Sequence, residues 1–76
     1  MKRLGKRAAA AETYLDTAYA LLSAPCRAWA ELPAIRAQWL PFALSHVACE
    51  ARGLSLSTPA DLAEAIDSVW KETTPS

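Results

Sequence analysis

The side chains whose types and spacing invite a chemical reading are Cys26, Cys49, His46 and the carboxylates Glu50, Asp61, Glu64 and Asp67. His46, Cys49 and Glu50 stand at i, i+3 and i+4, which turns them toward one side of a helix. Cys26 from a neighbouring helix would complete a ligand set of types that suit zinc. The spacing is not diagnostic, and a histidine beside a cysteine on a half-buried helix is ordinarily packing, so neither a metal nor a cofactor is expected. Cys26 falls in the first turn of an expected helix beside Arg27, surroundings that lower a thiol pKa. A nucleophile also needs a base, and His46 is the one histidine in the chain. No nucleophile signature surrounds either residue, so the reading is of a protein that is not an enzyme. Asp61, Glu64 and Asp67 run along one helix face, the pattern of a solvated surface. With only Gly5 and Gly53, the chain has no glycine-rich phosphate loop.

Charge gives the first sign of organisation. Eight positive and eight negative residues sum to zero, yet Lys2, Arg3, Lys6 and Arg7 place four of the positive ones in the first seven positions. The other residues hold four positive and eight negative charges, so a +4 arm precedes a −4 body. Such an arm is able to contact phosphates or another acidic partner without reading sequence. A helix–turn–helix reading of the end of the chain fails, because the connection after Gly53 is longer than the usual three or four residues and the would-be recognition helix carries Asp61, Glu64 and Asp67. Nucleic acid is therefore the weaker alternative, resting on the arm alone.

The elements follow from composition and punctuation. Seventeen alanines and ten leucines against two valines and two isoleucines favour helix over strand. Ala8, Ala11, Leu15, Ala18 and Leu22 recur at spacings of three and four, which predicts a helix from Lys6 to about Ser23. Ser23 and Pro25 restart a short helix over 25–32, with Ser23 as its cap. Pro33 opens a segment reaching Arg52, which Pro41 either kinks or divides and Gly53 stops. Thr58, Pro59 and Asp61 form a cap, first-turn proline and dipole-facing acid that start a helix ending near Glu72. The expectation is one all-α bundle of three to four helices over residues 8–72, with 1–7 a flexible arm and 73–76 a loose tail. Its core is read as Leu15, Leu22, Leu32, Leu40, Leu44, Val47, Leu62, Ile66 and Val69.

No apolar run reaches the length of a membrane span, and Glu12 and Asp16 interrupt what would be a signal segment. A soluble, cytoplasmic chain with both thiols reduced and no membrane association is expected. On the segment after Pro33, Leu40, Leu44, Val47, Ala48 and Ala51 form one stripe, while Trp39, Phe42, His46 and Cys49 form a second. A single small domain rarely buries both sides of one helix, and aromatic anchors carry much of the energy of protein interfaces. The function read from this surplus is that of a small adaptor or inhibitor docking a helical apolar surface on another protein, alone or after forming a homodimer. The anchors are read as Trp39, Phe42, His46 and Cys49, with Trp29, Trp70 and Tyr14 as outer candidates.

Overall fold

A computed structural model describes residues 5–73, and among them every regular element is a helix. The order is α1 (Lys6–Ala20), α2 (Ala24–Ala30), α3 (Pro33–Ala51) and α4 (Pro59–Thr73). Lys6 and Arg7, expected in the arm, form the exposed first turn of α1, and Thr73, expected in the tail, ends α4. Lys2 and Arg3 lie outside the described residues.

Each boundary has a local cause. α1 ends at Ala20, earlier than its periodicity implies, and Arg27 supplies the reason. Its Nη2 donates to the carbonyls of Ala20 and Leu22 at 2.8 and 3.2 Å, satisfying acceptors that the finished helix leaves open. Ser23 holds the extended backbone of an N-cap, but its hydroxyl makes no capping bond, so Pro25 in the first turn is what favours α2. Pro33 opens α3 in the same way.

Pro41 does not divide α3, which runs through it as one helix of 19 residues. The proline is exposed, so its ring meets no neighbouring helix, although Pro41 has no N–H to offer the Ala37 carbonyl four residues earlier. Gly53, at φ 81°, ends the helix in the left-handed region. The Leu54 and Gly53 amides donate back to Cys49 and Glu50 at 2.8 and 3.0 Å, a Schellman closure. α4 begins with a reciprocal cap: the Asp61 amide donates to Thr58 Oγ1 at 3.3 Å, and the Thr58 amide donates to Asp61 Oδ2 at 3.0 Å.

α1 is the middle of the molecule. α3 and α4 both pack on it, α2 bridges them, and α3 and α4 do not pack on each other among the described residues. The result is a flat body of 41 × 31 × 17 Å. Leu15, Leu22, Leu62 and Ile66 are buried as expected, and Leu40, Val47 and Val69 are partly buried against them. Ala11, Ala18, Tyr19, Cys26, Ala30, Trp39, Ala43 and Ala63 complete the core.

Two expected core residues lie outside it: Leu32 is 52% exposed and Leu44 is 37% exposed. Leu32 is the extended residue that caps α3, so it projects beyond the packed helices. Leu44 is out because α3 buries a face centred on Ala43 and Trp39, between the two stripes drawn from its sequence. Ala43 offers no bulk to mark that face in the sequence, yet its small side chain suits α3 to lie close against α1 in the core that also holds Ala11 and Ala18.

Candidate functional site

The sequence-predicted site residues fall into four groups. Trp39, read as an anchor, is 8% exposed and belongs to the core. Its ring lies 5.2 Å from that of Phe42, which is 53% exposed. Trp29 and Trp70 tilt against each other at 5.1 Å, joining α2 to α4, and both are partly buried. Cys49 is half-buried near the end of α3.

Tyr14 and His46 form the fourth group, with a partner that the sequence did not announce. Their rings stack at 5.6 Å, and the Tyr14 hydroxyl donates to the Ser57 carbonyl at 2.9 Å. Ser57 Oγ lies 2.9 Å from His46 Nε2 and 3.2 Å from Nδ1. A serine beside a histidine invites comparison with a nucleophile and its base. Here the hydroxyl is almost equidistant from both ring nitrogens, whose lone pairs diverge, so it is aligned with neither for proton transfer. The three residues act as a clamp between α1, α3 and the loop leading into α4. They border a depression of about 250 Å³ with Glu50, Leu54 and Leu56. Burial holds the Tyr14 phenol above its ordinary pKa; the Ser57 side chain pulls it down, and Asp61 and Glu50 push it up.

Cys26 is not the activated thiol its sequence position implies. It is 2% exposed and donates to Asp67 Oδ1 at 2.6 Å, on α4 and away from His46. Burial is the main cause that raises its pKa, and the hydrogen bond to Asp67 adds to it. The Arg27 guanidinium, which was to stabilise a thiolate, is turned instead to the end of α1. On the other side of the pair, Cys26 and Lys71, whose Nζ is 3.1 Å from Asp67 Oδ2, hold the Asp67 carboxyl below its ordinary pKa. Among the described residues no group of three or more His, Cys, Asp or Glu is placed to hold a metal ion.

A depression of about 590 Å³ opens between Leu21, Leu22 and Ser23 at the end of α1 and the α4 residues Asp61, Glu64 and Asp67. A smaller one of about 320 Å³ lies over Tyr19, where Arg36 spans α1 and α3. Arg36 meets Asp16 at 2.7 Å and Glu12 at 3.1 Å, with its guanidinium 5.6 Å from the Tyr19 ring. The hydrogen bond to Asp16, and less strongly that to Glu12, raises the Arg36 pKa against the opposing effect of burial.

The outward side of α3 differs from the charged outward side of α4. Its exposed positions from Ala34 to Ser45 are Ala34, Ala37, Gln38, Pro41, Phe42, Leu44 and Ser45, none of them charged. The two charged residues of the helix are spent elsewhere, Arg36 on α1 and Glu50 beside the Tyr14–His46 clamp. No helix of the described residues is long and apolar enough to cross a membrane. No protein-family model matches the chain, and no curated protein or solved structure is similar enough to it to count as a match.

Proposed function

We propose that the protein is a small non-enzymatic interaction module, an adaptor or inhibitor, that works by docking the outward face of α3 on another protein. The observation that carries this reading is the uncharged exposed face from Ala34 to Ser45, with Phe42 53% and Leu44 37% exposed. Solvent-facing helix sides are ordinarily charged or strongly polar, and α4 conforms, with Asp61, Glu64, Lys71 and Glu72 exposed. Phe42 and Leu44, two residues apart, stand on opposite edges of this strip, and exposed apolar side chains bordering an uncharged face support a contact surface. Occlusion or bridging then needs no reacting group.

A photo-crosslinking residue placed at Phe42 or Ser45 tests this in living cells, with the same residue at Glu64 as the reference. The expected result is a discrete adduct from positions 42 and 45, absent at 64 and lost when Leu44→Glu is added. Equal labelling at all three positions, or none at 42 and 45, removes the reading.

A further inference from the structure

We propose that two copies of this chain pair antiparallel along the outward side of α1, with residues 1–4 of each seated in the depression between α1 and α4 of the other. The pairing goes beyond the reading of α3 and leaves that face free. Charge complementarity is the first argument. The depression of about 590 Å³ has Leu21, Leu22, Ala60 and Ala63 among its lining, and its charged residues are all acids, Asp61, Glu64 and Asp67. Asp67 is engaged by Cys26 and Lys71. Asp61 gives Oδ2 to the Thr58 cap, which leaves Oδ1 open, and Glu64 has no hydrogen bond or ion pair among the described residues. Two open carboxylates beside apolar side chains fit a segment that is both cationic and apolar. The chain carries one in Met1, Lys2, Arg3 and Leu4.

That segment does not fill the depression of its own copy. α1 is 15 residues long, about 22 Å, and sets its start and Leu21 at opposite ends, whereas four residues span at most about 14 Å. The cations at the start of α1 also oppose its dipole, and its first turn holds no acid. Carboxylates of a second copy supply that missing charge. Register is the second argument. The outward positions Ala9, Ala10, Thr13, Thr17 and Ala20 are exposed and uncharged. Thr13 and Thr17 already donate their hydroxyls to carbonyls four residues back, at 3.1 and 2.9 Å, so neither needs a bond from across the contact. A two-fold axis at Thr13 places each residue against the one equally far from position 13 in the other copy. Ala9 then meets Thr17, and Gly5, where the segment 1–4 joins α1, comes level with Leu21 at the edge of the depression. The contact is made twice, as an isologous pair requires, and no like charges meet along it.

The paired length is short and exposed charges hold its two ends, so the dimer is reversible and weakened by salt.

The test is the solution mass of the intact chain, 8.2 kDa as a monomer, by sedimentation from low to high micromolar concentration at low and high salt. A reversible doubling of mass at low salt is expected. Arg3→Glu and Glu64→Lys should each raise the dissociation constant about tenfold, since each change acts at both ends of the pair, and the chain carrying both should regain most of the loss. Thr13→Glu sets two carboxylates against each other on the axis and should abolish pairing with helix content unchanged, while Phe42→Glu leaves the dimer intact. A crosslinking residue at position 64 removes the carboxylate that this pairing uses, so that position still serves as the reference for the α3 face. A monomer at the highest concentration, a mass that rises past two copies, or a double variant no better than the single ones overturns the proposal. A dimer broken by Phe42→Glu and indifferent to Thr13→Glu also overturns it and places the contact on α3.

Discussion

Two tyrosines on α1 separate a hydroxyl that contributes to stability from one that does not. Tyr14 donates to the Ser57 carbonyl, so Tyr14→Phe leaves a part-buried acceptor unpaired and should cost about 1 kcal/mol. The Tyr19 hydroxyl is buried with no hydrogen-bond partner among the described residues, so Tyr19→Phe removes a polar group already desolvated. It should be neutral or stabilising by up to about 1 kcal/mol. Denaturant unfolding of both variants checks the pair, and equal losses would sink the distinction. The thiols divide as sharply. Cys26 is buried, raised in pKa and bonded to Asp67, whereas no such bond holds Cys49, which is half-buried. A thiol reagent at pH 8 should modify Cys49 at least tenfold faster than Cys26, since the thiolate is the reactive form. Peptide mapping after a short reaction reads the order directly. None of this residue detail was legible in the sequence, because it depends on which helix lies against which. Position at a helix start implied a reactive Cys26, and the carboxylate that reverses this arrives from α4, 41 positions later.

At the scale of elements, the sequence was most informative where a signal is local. The start of α4 is the clearest case: Thr58, Pro59 and Asp61 stand as their residue types predict, with two reciprocal bonds between Thr58 and Asp61. Thr58→Ala removes an acceptor for the Asp61 amide and should destabilise the fold by about 1 kcal/mol, while Thr58→Ser should retain most of it. Urea unfolding midpoints of the two variants test this, and an unchanged midpoint for Thr58→Ala would show that the cap is idle. The prolines were legible as restarts at 25 and 33 but not at 41, because whether a helix survives an internal proline depends on whether its ring has room. Helix faces were legible in α1 and α4, where bulky residues mark the buried side. In α3 the marker is Ala43, and a wheel weighted by bulk divided its surface into two stripes on either side of the true contact. Phe42 remained outside for that reason, and Trp39 went in.

The whole molecule is a thin layer whose middle helix makes most of the tertiary contacts, and its response to pH gathers the groups that α1 and α2 bury. Tyr14 and Tyr19 are raised above 10.0 and Cys26 above 9.0, each chiefly by burial, because the folded state favours their neutral forms. A raised folded pKa gives a contribution that is complete below the ordinary value and is lost as pH rises through the folded one. All three groups therefore weaken the fold on the alkaline side, the thiol beginning above pH 9.0 and the phenols above pH 10.0. Asp67 acts at the other end: its pKa is lowered from 3.8, so its contribution is present above that value and fades as pH falls through the depressed one. Stability measured by denaturant unfolding should be level between about pH 5 and 8.5, then decline steeply above pH 9, with only a shallow loss below pH 4. Cys26→Ala and Tyr19→Phe remove two of the three alkaline groups, so each variant should show a shallower decline than the parent whatever its stability at neutral pH. The slope is the decisive readout, since packing lost with the sulfur shifts the whole curve without changing its dependence on pH. A parent curve still level at pH 11, or variants with the parent's slope, would mean that these groups ionise as freely in the folded chain as in the unfolded one, and that the α1 core is open to water.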